Sequence, residues 1–218
     1  MPVLALEGVW KTYDGTTDVL RGLDLAVAEG EAVVVRGENG SGKTTLMNLA
    51  GALDVPTRGT VRVDGKDVAG MGERERSALR LRTIGFVFQD HHLLEELTLL
   101  QNVLLPLRLA KADGAGARAR DVLETFGVAA LADRRPMELS TGQRQLAAVA
   151  RALANGPRLI LADEPTAALD EANGALVLDA LRRANGETGA SVVMTWHGPA
   201  PPWPPRAHAL RDGRLGPV

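Results

Sequence analysis

The chain has no cysteine among its 218 residues, so it can hold neither a disulfide nor a thiolate metal site, which fits a reducing compartment. Aromatic residues make up 3%, leaving Leu, Val and Ala to build the core. An excess of either charge is also lacking, with 25 Lys and Arg against 27 Asp and Glu. The formal net charge is -2, without the basic surplus of a protein that tracks a phosphate backbone, and no nucleic-acid partner is expected. No stretch reaches the ~18 consecutive apolar residues of a membrane-spanning helix, so a membrane role must come through a partner. The N-terminal residues, Met1 to Gly8, lack the basic segment followed by an apolar one that marks a secretory signal. What remains is 45% apolar content in a length that suits one large domain, or a core with a subdomain attached.

Short apolar strands are expected at Val3–Val9, Val19–Val27 and Ala32–Val35. Asp64-Gly65 is a two-residue hairpin signal between Thr60–Val63 and Lys66–Val68. Glu73–Arg82 reads as a helix and Ile84–Phe88 as a buried strand. Helices follow at Thr98–Ala110, which Pro106 should kink or end, at Ala115–Phe126 and at Gln143–Ala154. Strands return at Arg158–Ala162 and Ala190–Met194, separated by a helix over Glu171–Arg183. The fold class expected is an α/β core interrupted by an α-helical insertion. Gly198–Pro205 holds five prolines in eight residues and excludes a helix; a rigid irregular connector is expected.

Gly37-Glu38-Asn39-Gly40-Ser41-Gly42-Lys43-Thr44 fits the phosphate-cradling pattern G-x-x-x-x-G-K-[ST], between an apolar strand and a helix-compatible stretch beginning at Thr45. Glycines let successive N–H groups converge on phosphate, and the helix N-terminus adds partial positive charge. A glycine-rich turn could match by chance, so the rest of the chain must decide. Asp163 and Glu164 follow the apolar strand Arg158–Ala162; they suit a magnesium ligand and a water-polarising base, or merely a solvated strand tip. Ser140 and Gln143 stand as S-x-x-Q, a capping box, which leaves Gly142 unexplained unless a backbone there approaches an anion. Gln89 and His197 each follow a strand, where open α/β sheets place ligands. The pair His91-His92 lacks helical metal-binding spacing, and no metal site is assigned to it.

Together these strings make the chain resemble the nucleotide-binding subunit of ABC transporters over essentially its whole length. The resembling segments are Walker A at Gly37–Thr44, the Q-loop at Gln89, the signature at Leu139–Gln143, Walker B at Leu159–Glu164, the D-loop at Ala168–Asp170 and the switch histidine at His197. Phe86–Leu94, with Leu97–Val103 and Pro106 behind it, resembles the branch that holds the lipoprotein-releasing, macrolide-export and cell-division ATPases. The resemblance implies a P-loop NTPase core (1–89 and 156–218) carrying an N-terminal antiparallel β subdomain, and an α-helical subdomain at about 90–155. It implies ATP as substrate and Mg²⁺ as cofactor. Tyr13 would stack on adenine, and Lys43, with Thr44 and Thr45 beside it, would bind phosphate. Thr44, Gln89 and Asp163 would serve the metal, Glu164 the attacking water, and His197 the γ-phosphate. Two copies, or this chain and a related ATPase subunit, would meet head to tail. Each would lend Ser140 and Gly142 to the γ-phosphate of the other's ATP, and Thr141, Gln143 and Asp170 join the nucleotide-binding set.

An integral-membrane permease subunit would dock beside the helical insertion, where Leu93, Leu94 and Leu97 either line a groove or pack internally. That places the chain in the cytoplasm, on the inner face of the membrane. Export or extraction by a transporter is the leading function; a regulatory ATPase that drives a membrane protein without transport, or a soluble ABC protein, are the alternatives. The chain departs from the family pattern at Thr141, in place of a glycine, at Leu146, in place of a common arginine, and at Trp196 and Gly198 around the switch histidine. Slow or partner-dependent hydrolysis is the expected consequence.

Overall fold

Strands β1 (Pro2–Thr12) and β2 (Asp18–Ala28) pair antiparallel in the computed structural model. Along β2, Leu23, Leu25 and Val27 are buried while their neighbours face out, the period-two pattern of a strand with one face on a core. The structure describes residues 1–199, 201–204 and 206–218. After β2 come β3 (Ala32–Arg36), α1 (Lys43–Ala50), β4 (Arg58–Val63), β5 (Lys66–Asp67), α2 (Glu73–Thr83) and β6 (Ile84–Val87). The helical stretch comprises α3 (Leu99–Leu109), α4 (Ala115–Thr125) and α5 (Thr141–Leu153). The chain closes with β7 (Leu159–Ala162), α6 (Glu171–Thr188), β8 (Ser191–Trp196), β9 (Arg206–Arg211) and β10 (Arg214–Pro217).

One sheet has the order β2-β1-β4-β5 and is antiparallel; the other has the order β10-β9-β3-β8-β7-β6. In the second, β9, β3, β8, β7 and β6 run parallel, and β10 turns back antiparallel at the edge. The strands β3 and β7 read as unbroken apolar runs because both of their faces are covered. One core lies between the sheets and takes in Leu46, Met47 and Leu49 of α1. A second lies on the opposite face, where Val177, Ala180, Leu181 and Ala184 form the buried stripe of α6. A third belongs to the helical subdomain, around Leu99, Val103, Leu107, Leu123 and the alanines of α5. Burying each of those leucines stabilises the subdomain by roughly 1.5–3 kcal/mol. No helix among the described residues is long and apolar enough to cross a membrane.

The elements differ from expectation at a few places. Pro106 sits inside α3 without ending it: it forfeits its own N–H and crowds the carbonyl a turn before, yet the ladder resumes with Ala110 N–H donating to Pro106 O. Helix α5 begins at Thr141, since the capping box makes Ser140 the N-cap. The hairpin β9–β10 was not foreseen, although its turn, Asp212-Gly213, is a strong hairpin dipeptide and both residues have positive φ. Ala200 and Pro205, two residues of the expected proline-rich connector, lie outside the described residues; its described members 198, 199 and 201–204 form neither helix nor strand.

Candidate functional site

The predicted site residues sit on the carboxyl ends of adjacent parallel strands: the loop Gly37–Gly42 after β3, Asp163 and Glu164 after β7, His197 after β8 and Gln89 after β6. The loop folds tightly because glycine is required at its ends. A Cβ on Gly37 would stand 2.5 Å from Ser41 Oγ, and Gly42 has φ +105° with Leu20 pressed against it. Glu38, Asn39 and Gly40 are exposed at the tip, and Ser41 N–H donates to Glu38 O. Gly42 is the N-cap of α1, so the first N–H groups of that helix, at Lys43, Thr44 and Thr45, open the helix at the loop.

Lys43 is buried and its ammonium is fully engaged. It donates to Gly37 O at 2.8 Å and Glu38 O at 2.9 Å, and lies 3.1 Å from Glu164 Oε1. Glu164 has φ +43°, a conformation a non-glycine residue keeps only when its surroundings impose it. Thr195, the penultimate residue of β8, imposes it: its hydroxyl accepts from Glu164 N–H at 2.9 Å and donates to Asp163 Oδ1. The other Asp163 oxygen accepts from the Thr44 hydroxyl at 3.2 Å. Thr44, Gln89 and Asp163 line one cleft of about 260 Å³. On the other side of the loop, His197 lines a cleft of about 720 Å³ with Gly37–Ser41. Thr44, Gln89 and Asp163 form an all-oxygen donor set of the kind a hard cation takes, so the residues fit Mg²⁺.

Tyr13 is 60% exposed just past β1. Its hydroxyl lies 3.5 Å from Thr45 Oγ1, and Lys11 Nζ lies 4.9 Å from its ring centroid. Lys11 is held in turn by Asp54 at 2.7 Å and by Val55 O. The ring therefore stands beside the loop, against a lysine held by a partly buried ion pair.

The remaining predicted residues gather elsewhere. Ser140 accepts from Gln143 N–H at 3.3 Å, and the Gln143 side chain accepts from Ser140 N–H, so the box is closed within α5. The Thr141 hydroxyl is 3.2 Å from Arg144 Nη2, and Thr141 O is 3.2 Å from His91 Nε2. Burial lowers the His91 pKa from its ordinary value, favouring the neutral ring. Gly142 packs on α6: a Cβ there would lie 2.4 Å from Asn173 Oδ1. Asn173 in turn donates from its backbone and side chain to Asp170, the N-cap of α6, which lowers the Asp170 pKa. Among the described residues no hydrogen bond joins Ser140–Gln143 or Asp170 to the loop at 37–44.

Three residues of the site escaped the sequence reading. Thr195 lacks any local signal, since its partners are Asp163 and Glu164. Gln145 is buried and donates to Phe88 O and Pro165 O, tying the end of β6 before Gln89 to the residue after Glu164; a glutamine inside an otherwise apolar helix face was its one signal. Arg36, a charge at the tip of a buried apolar strand, donates across to Gly198 O. The leucines offered for a docking groove separate: Leu93 belongs to the helical core, while Leu94 is 44% exposed. A groove of about 420 Å³ is lined instead by Leu53, Phe86, Phe88, Leu105, Pro106 and Leu109, among others.

Comparison with known proteins gives this geometry its family. The family model described as ABC transporter matches residues 20–167. The chain is 44% identical over 220 residues to the lipoprotein-releasing system ATP-binding protein LolD 2 of Caulobacter vibrioides, covering 98% of this chain and 96% of that protein. It is 47% identical over 222 residues to the macrolide export ATP-binding/permease protein MacB 1/2 of Paracoccus denitrificans, covering 98% of this chain but only 33% of that longer protein. Among solved structures, the dimeric bacterial ABC transporter cassette MJ0796 superposes with a TM-score of 0.90 at 38% identity, covering 97% of this chain and 96% of that one. The dimer of the same cassette in a post-hydrolysis state, bound to ADP and Pi, superposes with a TM-score of 0.87. The chain belongs to the ABC transporter family, as an ATP-binding and ATP-hydrolysing subunit.

Proposed function

We propose that the chain powers an exporter or extractor of the lipoprotein-releasing and macrolide-export branch, as one ATPase domain over residues 1–218 with its helical part at about 90–155. The observation that carries the site assignment is the pairing, at the ends of β3 and β7, of Lys43 with Glu164 and of Thr44 with Asp163. Lys43 and the loop N–H groups bind the β- and γ-phosphates of ATP, and Tyr13 offers its exposed ring to adenine. Thr44, Asp163 and Gln89 would hold Mg²⁺, which when bound would supply positive charge against the phosphates. Glu164 takes a proton from water as the water oxygen attacks the γ-phosphorus. The bond to the β–γ bridging oxygen then breaks, and ADP leaves with the electron pair. His197 donates to the γ-phosphate from the opposite cleft.

The signature residues complete the site from a second copy, meeting head to tail. The local bonding of Ser140–Gln143 and Asp170 supports this reading, since both groups are preformed at helix N-termini and, among the described residues, make no hydrogen bond to the loop at 37–44. The relatives' names, one a releasing-system subunit and the other fused to a permease, support an integral-membrane permease partner and a place on the inner face of the membrane. The apolar groove around Phe86, Phe88, Leu105 and Leu109 is where that partner docks. Pull-down from detergent-solubilised membranes tests the partner, with one co-purifying multispan protein expected. Reconstitution of that complex in vesicles then tests transport. ATPase activity that no cargo stimulates would favour a regulatory role, and the absence of any membrane partner would overturn the proposal.

A further inference from the structure

Strand β3 ends on a charge: four buried apolar residues, Ala32 to Val35, are followed by Arg36, directly before the first glycine of the phosphate loop. β8 runs parallel beside it with Arg36 opposite Trp196, and Gly37 N–H donates to Trp196 O at 3.2 Å. The Arg36 side chain reaches one step further. Its Nε and Nη2 both donate to Gly198 O, at 3.1 and 2.7 Å, across 162 residues of sequence. His197 is therefore the residue between two acceptors, and consecutive residues of the β3 end hold both of them.

The segment after His197 has little means of holding itself. Gly198 turns with φ +89°, and the five prolines of Gly198–Pro205 lack the N–H groups that a helical turn would use. Trp203 anchors the far side of the segment against the core around α6, and Arg36 anchors the near side. Arg36, Gly37, Ser41, His197 and Gly198 line the same cleft. We infer that Arg36 is a positioning residue for His197: its guanidinium clamps the Gly198 carbonyl and so fixes the histidine backbone beside the phosphate loop. This rests on the reading that His197 meets the γ-phosphate.

The test is ATP turnover and ATP affinity of the full chain for Arg36→Ala, Arg36→Lys, His197→Ala and the double variant Arg36→Ala/His197→Ala. Arg36→Ala is expected to lower kcat roughly 10- to 100-fold, the cost of misplacing a group that must be oriented. KM should stay within about twofold, because ground-state binding is untouched. Arg36→Lys should fall between, since an ammonium cannot present the two parallel donors of a guanidinium edge. In the His197→Ala background, removal of Arg36 should cost nothing more. Equal losses in both backgrounds would show that Arg36 acts apart from His197 and would overturn the inference. Native turnover in Arg36→Ala would overturn it while leaving the role of His197 intact. Native turnover in His197→Ala would remove the reading beneath it, and the inference with it. Should Arg36→Ala fail to fold, Arg36→Lys with and without His197→Ala decides by the same comparison.

Discussion

The two faces that bear functional residues are built on different logic. At the phosphate loop, polar atoms from distant parts of the chain meet one another: Lys43 with Glu164, Thr44 with Asp163, and Asp163 with Thr195. At the start of α5, the side chains are satisfied mostly within a turn, by the Ser140–Gln143 box and the Thr141–Arg144 contact, with one distant partner in His91. A site that performs chemistry needs converging groups with pre-set geometry, whereas a surface that is offered to another molecule needs to be rigid and already satisfied. On the function proposed above, the first face is the reaction centre and the second the wall that another copy would receive.

Breaking the first face should have the largest effect. Lys43→Ala is expected to abolish ATP binding by calorimetry, while Glu164→Gln should retain binding and lower turnover by about 10²–10⁴-fold. Size-exclusion of Glu164→Gln with ATP and Mg²⁺ should show a dimer; a monomer at high concentration would argue against a site shared between copies.

Gly142→Ala sharpens the contrast next. Its Cβ would strike Asn173, which predicts a loss of about 1–3 kcal/mol, read as a lower Tm. Asn173→Ala in addition removes the two closest atoms and should recover much of the Tm. Turnover that stays low in this double variant would mean that the glycine also serves the opposite nucleotide; turnover that returns would make its role purely one of packing.

Thr141→Gly is expected to do less. It frees the backbone at the start of α5 and should raise turnover, while losing the Arg144 contact and a few tenths of a kcal/mol in helix propensity. An unchanged rate would acquit Thr141 of slowing the enzyme.

The smallest effect concerns pH. Burial lowers the pKa of both His91 and His208 below the usual 6.5, so the folded chain favours their neutral forms. The unfolded chain binds protons at higher pH, and stability contributed by these rings is present near neutrality and lost as pH falls. The Tm should decline between about pH 7 and about pH 5, and less steeply in His91→Gln. Only His91 touches the signature end, through Thr141 O. A matching change in turnover in His91→Gln, absent in His208→Gln, would extend the comparison to how that wall is held.

The motif residues at the ends of β3, β6, β7 and β8 could be read from the chain because each is written in a contiguous string: an apolar run for the strand, then the group that strand must carry. The capping box at Ser140 was legible for the same reason, since its partners lie three residues apart. The proline-rich stretch announced itself by composition. The hairpin β9–β10 carried a signal in Asp212-Gly213 that was passed over, and the leucines at 93, 94 and 97 show the opposite failure, where apolar residues could not declare whether they faced a groove or a core.

Short-range chemistry thus belonged to the chain as written: which loop carries the phosphate-cradling pattern, which carboxylates follow a strand, which helix is capped. The fold alone settled the pairings. Gly142 is a glycine in part because Asn173 of another helix presses on it, Glu164 holds its unusual backbone angle because Thr195 supports it, and Arg36 bears on His197 through a carbonyl at Gly198. Each such contact joins residues that no local period or spacing relates. They become neighbours only when the parallel sheet brings β3, β8 and β7 side by side and α5 comes to rest on α6.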